Sequence, residues 1–236
     1  MPETPRVVII TGASQGIGAG LATAFRRVGY AVVGTSRSIQ SSDEADFVTV
    51  QGDISEVETA HRVVERALDR FGRIDSLINN AGIFVGKPFT DYTIEDYAAI
   101  TAVNLAGFFH ITQLAIREMV TRGSGHIVNI TTSLVDHANS TRPSALTSLT
   151  KGGLAAVTRS LATEYASRGV RVNAVSPGVI QTPVHDPRSY EALAELHPIG
   201  HVGRISDVVD AILYLEQAAF VTGEILHVDG GQAAGH

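Results

Sequence analysis

At 236 residues the chain has room for one large folded unit or two small ones, and 44% apolar with only 18% charged residues marks a globular chain with a sizeable core. A net charge of −6 spread along the sequence leaves no basic cluster for nucleic acid or a membrane surface, and the absence of cysteine excludes disulfides, thiol catalysis and cysteine–zinc sites. No run of consecutive apolar residues reaches membrane-spanning length, and the N-terminus passes into an apolar strand without a basic-then-apolar leader, so a cytoplasmic location is the expectation.

The first apolar run, Arg6–Thr11, reads as a buried strand, and Ala19–Val28 as the helix that follows it. Between them lies Thr11-Gly12-Ala13-Ser14-Gln15-Gly16-Ile17-Gly18. Strand, tight glycine turn and helix together point free backbone N–H groups and a positive helix end at a phosphate. In that reading Gly12 permits the sharp turn, Gly16 lets the backbone approach a pyrophosphate, and Gly18 brings helix and strand close. Ala31–Thr35 is the second strand, and it ends on Ser36-Arg37. A carboxylate here would accept an adenosine ribose 2′-hydroxyl; a guanidinium instead grips a 2′-phosphate through a charge-assisted fork, which favours NADP over NAD. Ser38–Asp46 is polar and lacks helical period, so the second crossover is expected without a helix. Phe47–Gln51 is the third strand, Asp53-Ile54 follows it, and Ser55-Glu56-Val57-Glu58 reads as a capping box for a helix ending near Phe71.

Ser76–Asn79 is the fourth strand, closed by Asn79-Asn80-Ala81-Gly82, whose amides can bond the backbone and whose glycine makes room for a flat ligand. Asn104 lies within a long helical stretch, Thr93–Arg122, flanked by apolar residues, so its amide is expected inside and in need of partners. His126–Thr131 is the fifth strand, ending at Thr132-Ser133. Ser144–Arg168 reads as one helix with Leu154, Val157 and Leu161 facing the core. Thr147 and Lys151, four residues apart on one face of it, are separated by about 6 Å along the axis. Gly152-Gly153 is expected to let this helix approach a neighbour closely. Val170–Ser176, Pro177-Gly178-Val179-Ile180-Gln181-Thr182 and Glu224–Val228 supply two further strands and the turn after the sixth. Pro183–Gly203 reads as a short substrate loop with one helix near Tyr190–Leu196; Pro198 and Gly200 separate His197 from His201 and argue against a zinc site. Strands that are apolar throughout and separated by helices imply a doubly wound parallel sheet of seven strands, with every carboxyl end on one ligand-binding rim. No repeat, low-complexity segment or linker interrupts the chain, so residues 1–236 are expected to form a single domain.

The Thr-Gly-x-x-x-Gly-x-Gly spacing, Asn-Asn-Ala-Gly, the Ser133 to Lys151 spacing with Lys-Gly-Gly-Leu, Pro-Gly-x-x-x-Thr and Asp229-Gly230-Gly231 occur in order along essentially the whole chain, which resembles the short-chain dehydrogenases/reductases. That resemblance implies a Rossmann-type fold, hydride transfer between NAD(P) and a carbonyl or alcohol, and a homo-oligomer, tetramer or dimer, paired through the two long helices. It places Gly12, Ser14, Gln15, Gly16, Ile17 and Gly18 at the pyrophosphate, Ser36 and Arg37 at the adenosine ribose, and Asp53 and Ile54 at the adenine. It puts Asn80, Ala81 and Gly82 beneath the ribose, with Lys151 on its hydroxyls and Pro177, Gly178, Ile180 and Thr182 at the carboxamide. NADP-preferring relatives often carry a second base within the glycine loop, where this chain has Gln15. It also implies that Ser133 holds the substrate oxygen and that Asn104 kinks its helix and anchors a water relay.

The departure is at Thr147, where the family has the tyrosine of Tyr-x-x-x-Lys. Hydride addition to a carbonyl leaves an alkoxide that needs a proton. A phenol, at about 10 unperturbed, can be tuned toward neutrality by a neighbouring cation; the Thr147 hydroxyl is a far weaker acid, and its smaller side chain leaves a gap able to hold water. Three readings follow. One is a working NADP-dependent reductase with a substitute donor: Lys151 through water, His137 or His185. Another is a dinucleotide-binding sensor or subunit without relevant turnover, and the third is an ordinary enzyme altered at position 147.

Overall fold

The structure, a computed structural model, describes residues 5–183 and 187–235. Seven parallel strands, β1 (Val7–Thr11), β2 (Ala31–Ser36), β3 (Phe47–Gln51), β4 (Ser76–Asn79), β5 (Gly125–Ile130), β6 (Val170–Pro177) and β7 (Ile225–Val228), form one sheet in the order β3-β2-β1-β4-β5-β6-β7. Each lies within a residue or so of its expected bounds. The order reverses direction between β1 and β4, and that switch point opens a crevice above the strand ends.

Alternate side chains of each strand enter opposite cores. Ile9, Val33, Leu77 and Ile127 pack under α2 (Val57–Phe71), α4 (Phe108–Arg122) and α5 (Ala145–Tyr165). Val8, Ile10, Val32, Ile78 and Val128 pack under α1 (Gly16–Arg27) and α7 (Ile205–Gln217). Both faces are therefore covered, as strands apolar throughout require. Helix α7 was not delimited from sequence, although Val208, Val209, Ile212 and Leu215 carry the helical period and are buried. The approach of α1 to it depends on Gly20, where a Cβ would lie 2.4 Å from Ile205 Cγ2. The stretch 38–46 is without a helix, as its polar pattern implied.

Several local expectations are corrected. Ser55 does not cap α2: its N–H and Oγ both donate to Asp53 Oδ1, and the N-cap residue is Glu56, with no side-chain bond. Helix α6 (Tyr190–Ala194) stops short of Leu196, where the bonding tightens to turns in which Leu196 N and His197 N donate to the carbonyls of Leu193 and Ala194. Gly152 and Gly153 are not needed for close packing within the chain, since a Cβ at either would meet only ordinary contacts at 3.7 and 3.8 Å. The continuous helical run Ile94–Arg122 is long and apolar enough, by length and composition, to cross a membrane, although polar and charged residues interrupt it throughout. Here its Ile111, Ala115, Ile116 and Met119 are buried against the sheet.

At the rim opposite the crevice, Glu216 of α7 is a buried carboxylate. It accepts hydrogen bonds from Tyr30 Oη (2.7 Å), Ser76 Oγ (2.8 Å) and His126 Nδ1 (2.7 Å). Asn173 Nδ2 lies 3.1 Å from His126 Nε2, and Asn173 Oδ1 accepts from Glu224 N, so the amide donates and the imidazole is held neutral with its proton on Nδ1. Burial raises the Glu216 pKa, but the bonds from His126, Tyr30 and Ser76 prevail and hold it at about 2. Glu216→Gln forces an amide donor among these donors and should cost about 2–3 kcal/mol in denaturant unfolding at neutral pH. Because the folded carboxyl titrates below its ordinary value of 4.5, the parent loses this stability as pH falls from about 4.5 toward 2, and the variant should show a shallower acid limb.

Candidate active site

The glycine turn after β1 is set by backbone geometry. Gly12 and Gly16 have φ of 68° and 57°, which L side chains rarely adopt. Gly18 does not reach the ligand groove. A Cβ on it would lie 2.1 Å from the Gly12 carbonyl oxygen and 2.7 Å from Asn80 Nδ2, so it allows α1 to pack onto the turn from behind. Asn80 Nδ2 donates to the carbonyls of Thr11 (2.9 Å) and Gly12 (3.2 Å), while Thr11 Oγ1 accepts from the N–H groups of Asn80 and Ala81. The ends of β1 and β4 are thus locked together. Gln15 is the N-cap residue of α1; no side chain caps that end and no acid lies in its first turn, which leaves the helix N-terminus open to an anion.

Two adjoining cavities, each of about 300 Å³, follow from this arrangement. The first is lined by Ser36, Arg37, Asp53 and Ile54 at the β2 and β3 ends, by Gly12, Ser14, Gln15, Gly16 and Ile17 of the turn, and by Asn80, Ala81, Gly82 and Thr182. Arg37 is largely exposed, with Nη1 3.9 Å from Asp53 Oδ2. The Asp53 carboxyl is held below its usual range chiefly by the backbone bond from Ser55, with burial opposing. The second cavity is lined by Ser133, Thr147 and Lys151, by Pro177, Gly178 and Ile180, and by Phe84, Leu134, Leu193, Leu196, Arg142 and Gln232. Ile17, Asn80, Gly82, Ile83 and Thr182 belong to both, so the cavities form one continuous groove.

At the floor of the second cavity, Lys151 Nζ donates to the Ile130 carbonyl at 2.7 Å, and burial lowers its pKa to about 8. Ser133 is 1% exposed and its Oγ donates to Gln232 Oε1 at 2.9 Å. Thr147 is 3% exposed, and its Oγ1 has no hydrogen-bond partner among the described residues. Asn104 lies behind this floor in a π-helical turn, Ala102–Gly107, between α3 (Ile94–Thr101) and α4. Its Oδ1 accepts from Ile83 N (2.9 Å) and its Nδ2 donates to the Ile83 carbonyl and to Thr150 Oγ1 (both 3.1 Å). The predicted kink is therefore a π-turn, and Gly107 within it passes so close to Ile54 that a Cβ would be 3.0 Å from the Ile54 carbonyl oxygen.

His137 does not line either cavity, and His185 lies outside the described residues. His197 accepts from Val179 N and bonds the Asp229 carbonyl at 2.8 Å, tying the turn after β6 to the C-terminal turn, while His201 bonds the carbonyl of its neighbour Val202. Sequence reasoning missed Gln232, Arg142, Phe84, Leu193 and Leu196. Leu193 lies on the short helix α6, and the others lie in irregular or turn segments at the ligand rim, where no periodicity marks a residue. It also missed the buried polar ladder in which Asn79 Nδ2 donates to Thr112 Oγ1 and Asn129 Oδ1, and Asn129 Nδ2 to Thr158 Oγ1, which pins α4 and α5 to the sheet centre.

Comparison with known proteins agrees with this geometry. Residues 12–233 match a family model described as enoyl-(acyl carrier protein) reductase. The chain is 36% identical to 3beta-hydroxysteroid dehydrogenase 1 of Eggerthella lenta, over 96% of this chain and 93% of that protein. Among solved structures it is similar to ElxO with NADP bound, at a TM-score of 0.91 and 29% identity over 98% of this chain and all of that one. It is also similar to the 3-ketoacyl-(acyl-carrier-protein) reductase of Brucella melitensis complexed with NADH, at a TM-score of 0.88 and 30% identity over 97% of this chain and 98% of that one. With a glycine turn, a seven-stranded parallel sheet and near-complete coverage by such relatives, the chain is an oxidoreductase of the short-chain dehydrogenase/reductase family.

Proposed function

We propose that the whole chain acts as one dinucleotide-binding domain that reduces a small carbonyl compound with NADPH, or oxidises the matching alcohol with NADP⁺. The observation that carries this reading is the continuous groove: a phosphate-type glycine turn at one end and Ser133, Thr147 and Lys151 at the other, joined through shared lining residues. The residues present fit a dinucleotide. Helix α1 has an uncapped N-terminus, a side chain at Gly16 would project toward Thr182, and the groove has the asymmetry of an adenosine end and a reactive end. When bound, the cofactor supplies the hydride. Related structures hold NADP or NADH, and Arg37 next to Ser36 is this chain's own basis for preferring the phosphorylated form.

The chain's residues then govern orientation and proton supply. On substrate binding the single Ser133 Oγ hydrogen turns from Gln232 Oε1 to the substrate oxygen, since a hydroxyl has only one to donate. Lys151 is the protonated group at this floor, and its depressed pKa brings it nearer the operating range of a general acid. Thr147 adds a hydroxyl that can hold a water between Lys151 and the substrate but is too weakly acidic to act itself. Asn104 keeps the segment beneath in its π-turn. A second reading, a cofactor-binding sensor or subunit, draws support from the same threonine.

We also propose a homo-oligomer, dimer or tetramer. Tyr97, Phe109 and Leu149 on α3, α4 and α5 are 53%, 56% and 62% exposed, and the small residues Gly152 and Gly153 leave that side open to a second helix. Light scattering at micromolar concentration should give a multiple of 24.9 kDa.

Calorimetry should find NADPH bound more tightly than NADH, with the preference reduced by about 1.5–3 kcal/mol in Arg37→Ala. Thr147→Tyr places a phenol one turn from the Lys151 ammonium, and kcat for NADPH oxidation against ketones, aldehydes and quinones should rise by up to about 10²-fold with NADPH affinity unchanged. If neither form turns over any of these while both bind NADPH, the sensor reading replaces the reductase reading.

A further inference from the structure

Among the described residues the second cavity is charged in one sense only: no Asp or Glu lines it, and its two cations, Lys151 and Arg142, stand in different circumstances. Lys151 is buried, with its ammonium on the Ile130 carbonyl. The Arg142 guanidinium is exposed, and no ion pair or side-chain hydrogen bond occupies it among the described residues. Arg26, Arg66, Arg73 and Arg122, by contrast, pair with carboxylates, and Arg171 holds the carbonyls of Leu215, Glu216 and Val221.

The loop that carries Arg142 is well defined by its own bonds. Asn139 Oδ1 accepts from Thr141 N and Oγ1 at 2.8 and 2.7 Å, and Arg142 N donates to the Asn139 carbonyl at 3.2 Å. Pro143 follows, and its carbonyl comes within 3.4 Å of where a Gly86 Cβ would be, which docks this loop on the one that carries Phe84. Phe84, Leu134, Leu193 and Leu196 supply apolar wall between that rim and the floor. A cation on an anchored loop at one side, an apolar span, and a hydroxyl with a buried ammonium at the floor form a bipolar site. Resting on the carbonyl-reductase reading above, we propose that the substrate is a small carbonyl acid: its carboxylate is received by Arg142 and its carbonyl oxygen by Ser133 at the floor. Arginine suits the task because its planar fork matches a carboxylate and keeps its charge at every working pH. A cavity of about 300 Å³ limits the ligand to a small molecule.

The test is binding of benzoylpropionate and of its uncharged amide, which has the same shape, to the protein saturated with NADP⁺, followed by calorimetry or saturation-transfer NMR. The parent should bind the acid about tenfold more tightly than the amide, an exposure-discounted value for one charged contact, and salt should narrow the ratio. Arg142→Gln should bring the ratio toward one with NADPH affinity unchanged, and Arg142→Lys should keep part of the preference. Equal binding of acid and amide by the parent, an undiminished preference in Arg142→Gln, or no binding of either overturns the proposal. NADPH oxidation on the same samples separates the two readings. An acid held through Arg142 but never reduced leaves the anion site standing and sinks the reductase reading. Acid and amide reduced with equal KM do the opposite.

Discussion

The ligand rim depends on one close approach. Gly18 sits so near the Gly12 carbonyl that no side chain fits between them, and this lets α1 begin directly on the turn after β1. The Asn80 amide then spans the carbonyls of Thr11 and Gly12, and the Thr11 hydroxyl returns bonds to the start of the next loop. Two neighbouring strand ends, each the origin of a groove wall, are held in fixed relation by short polar bonds on a rigid sheet. A methyl group at position 18 would push the helix back and turn its N–H groups away from the groove. Geometry of this kind, fixed before any ligand arrives, is what allows a dinucleotide to bind without the loss of order in a flexible loop.

At the other end of the groove, burial sets the chemistry. The Lys151 ammonium is out of water with one carbonyl partner, so its proton is held less tightly than that of a solvated lysine. In a family site with tyrosine that charge would tune a phenol. Here it faces a threonine whose hydroxyl is buried and unpartnered. A buried polar atom without a bond is costly, and a site that retains one is arranged for something other than packing density. Ser133, bonded to Gln232 from the C-terminal turn, is positioned by a residue ninety-nine places away in the chain. The substrate end is therefore assembled from α5 and from segments after β4, β5, β6 and β7, and those after β4 and β6 also line the cofactor end.

Most of the fold was legible in the sequence because it rests on local signals. Apolar runs of strand length, glycines at turns and the helical period of α5 are each determined within a dozen residues, and the sheet bounds agree closely. Failures came where two local signals competed or none existed. Ser55 looked like a helix cap, but the nearby Asp53 carboxylate accepts both its hydroxyl and its N–H. Gly152-Gly153 looked like a packing contact, but the neighbours of that face within the chain are too distant to require glycine. Helix α7 is not among the elements read from the sequence, although its buried valines, isoleucine and leucine seal the second core.

The sequence by itself determined the parallel sheet, the phosphate-type turn, the basic residue at the end of β2 and the absence of a phenol at position 147, since each is a property of residue type and short-range order. Only the tertiary structure decided which groups share a site. It brought Gln232 to Ser133, set Arg142 at the second cavity without an ion pair among the described residues, buried Lys151 deeply enough to lower its pKa, and enclosed Glu216 with His126, Tyr30 and Ser76 at the far rim. These are juxtapositions of segments far apart in the chain, created when crossovers bring strand ends side by side, and no local pattern records them.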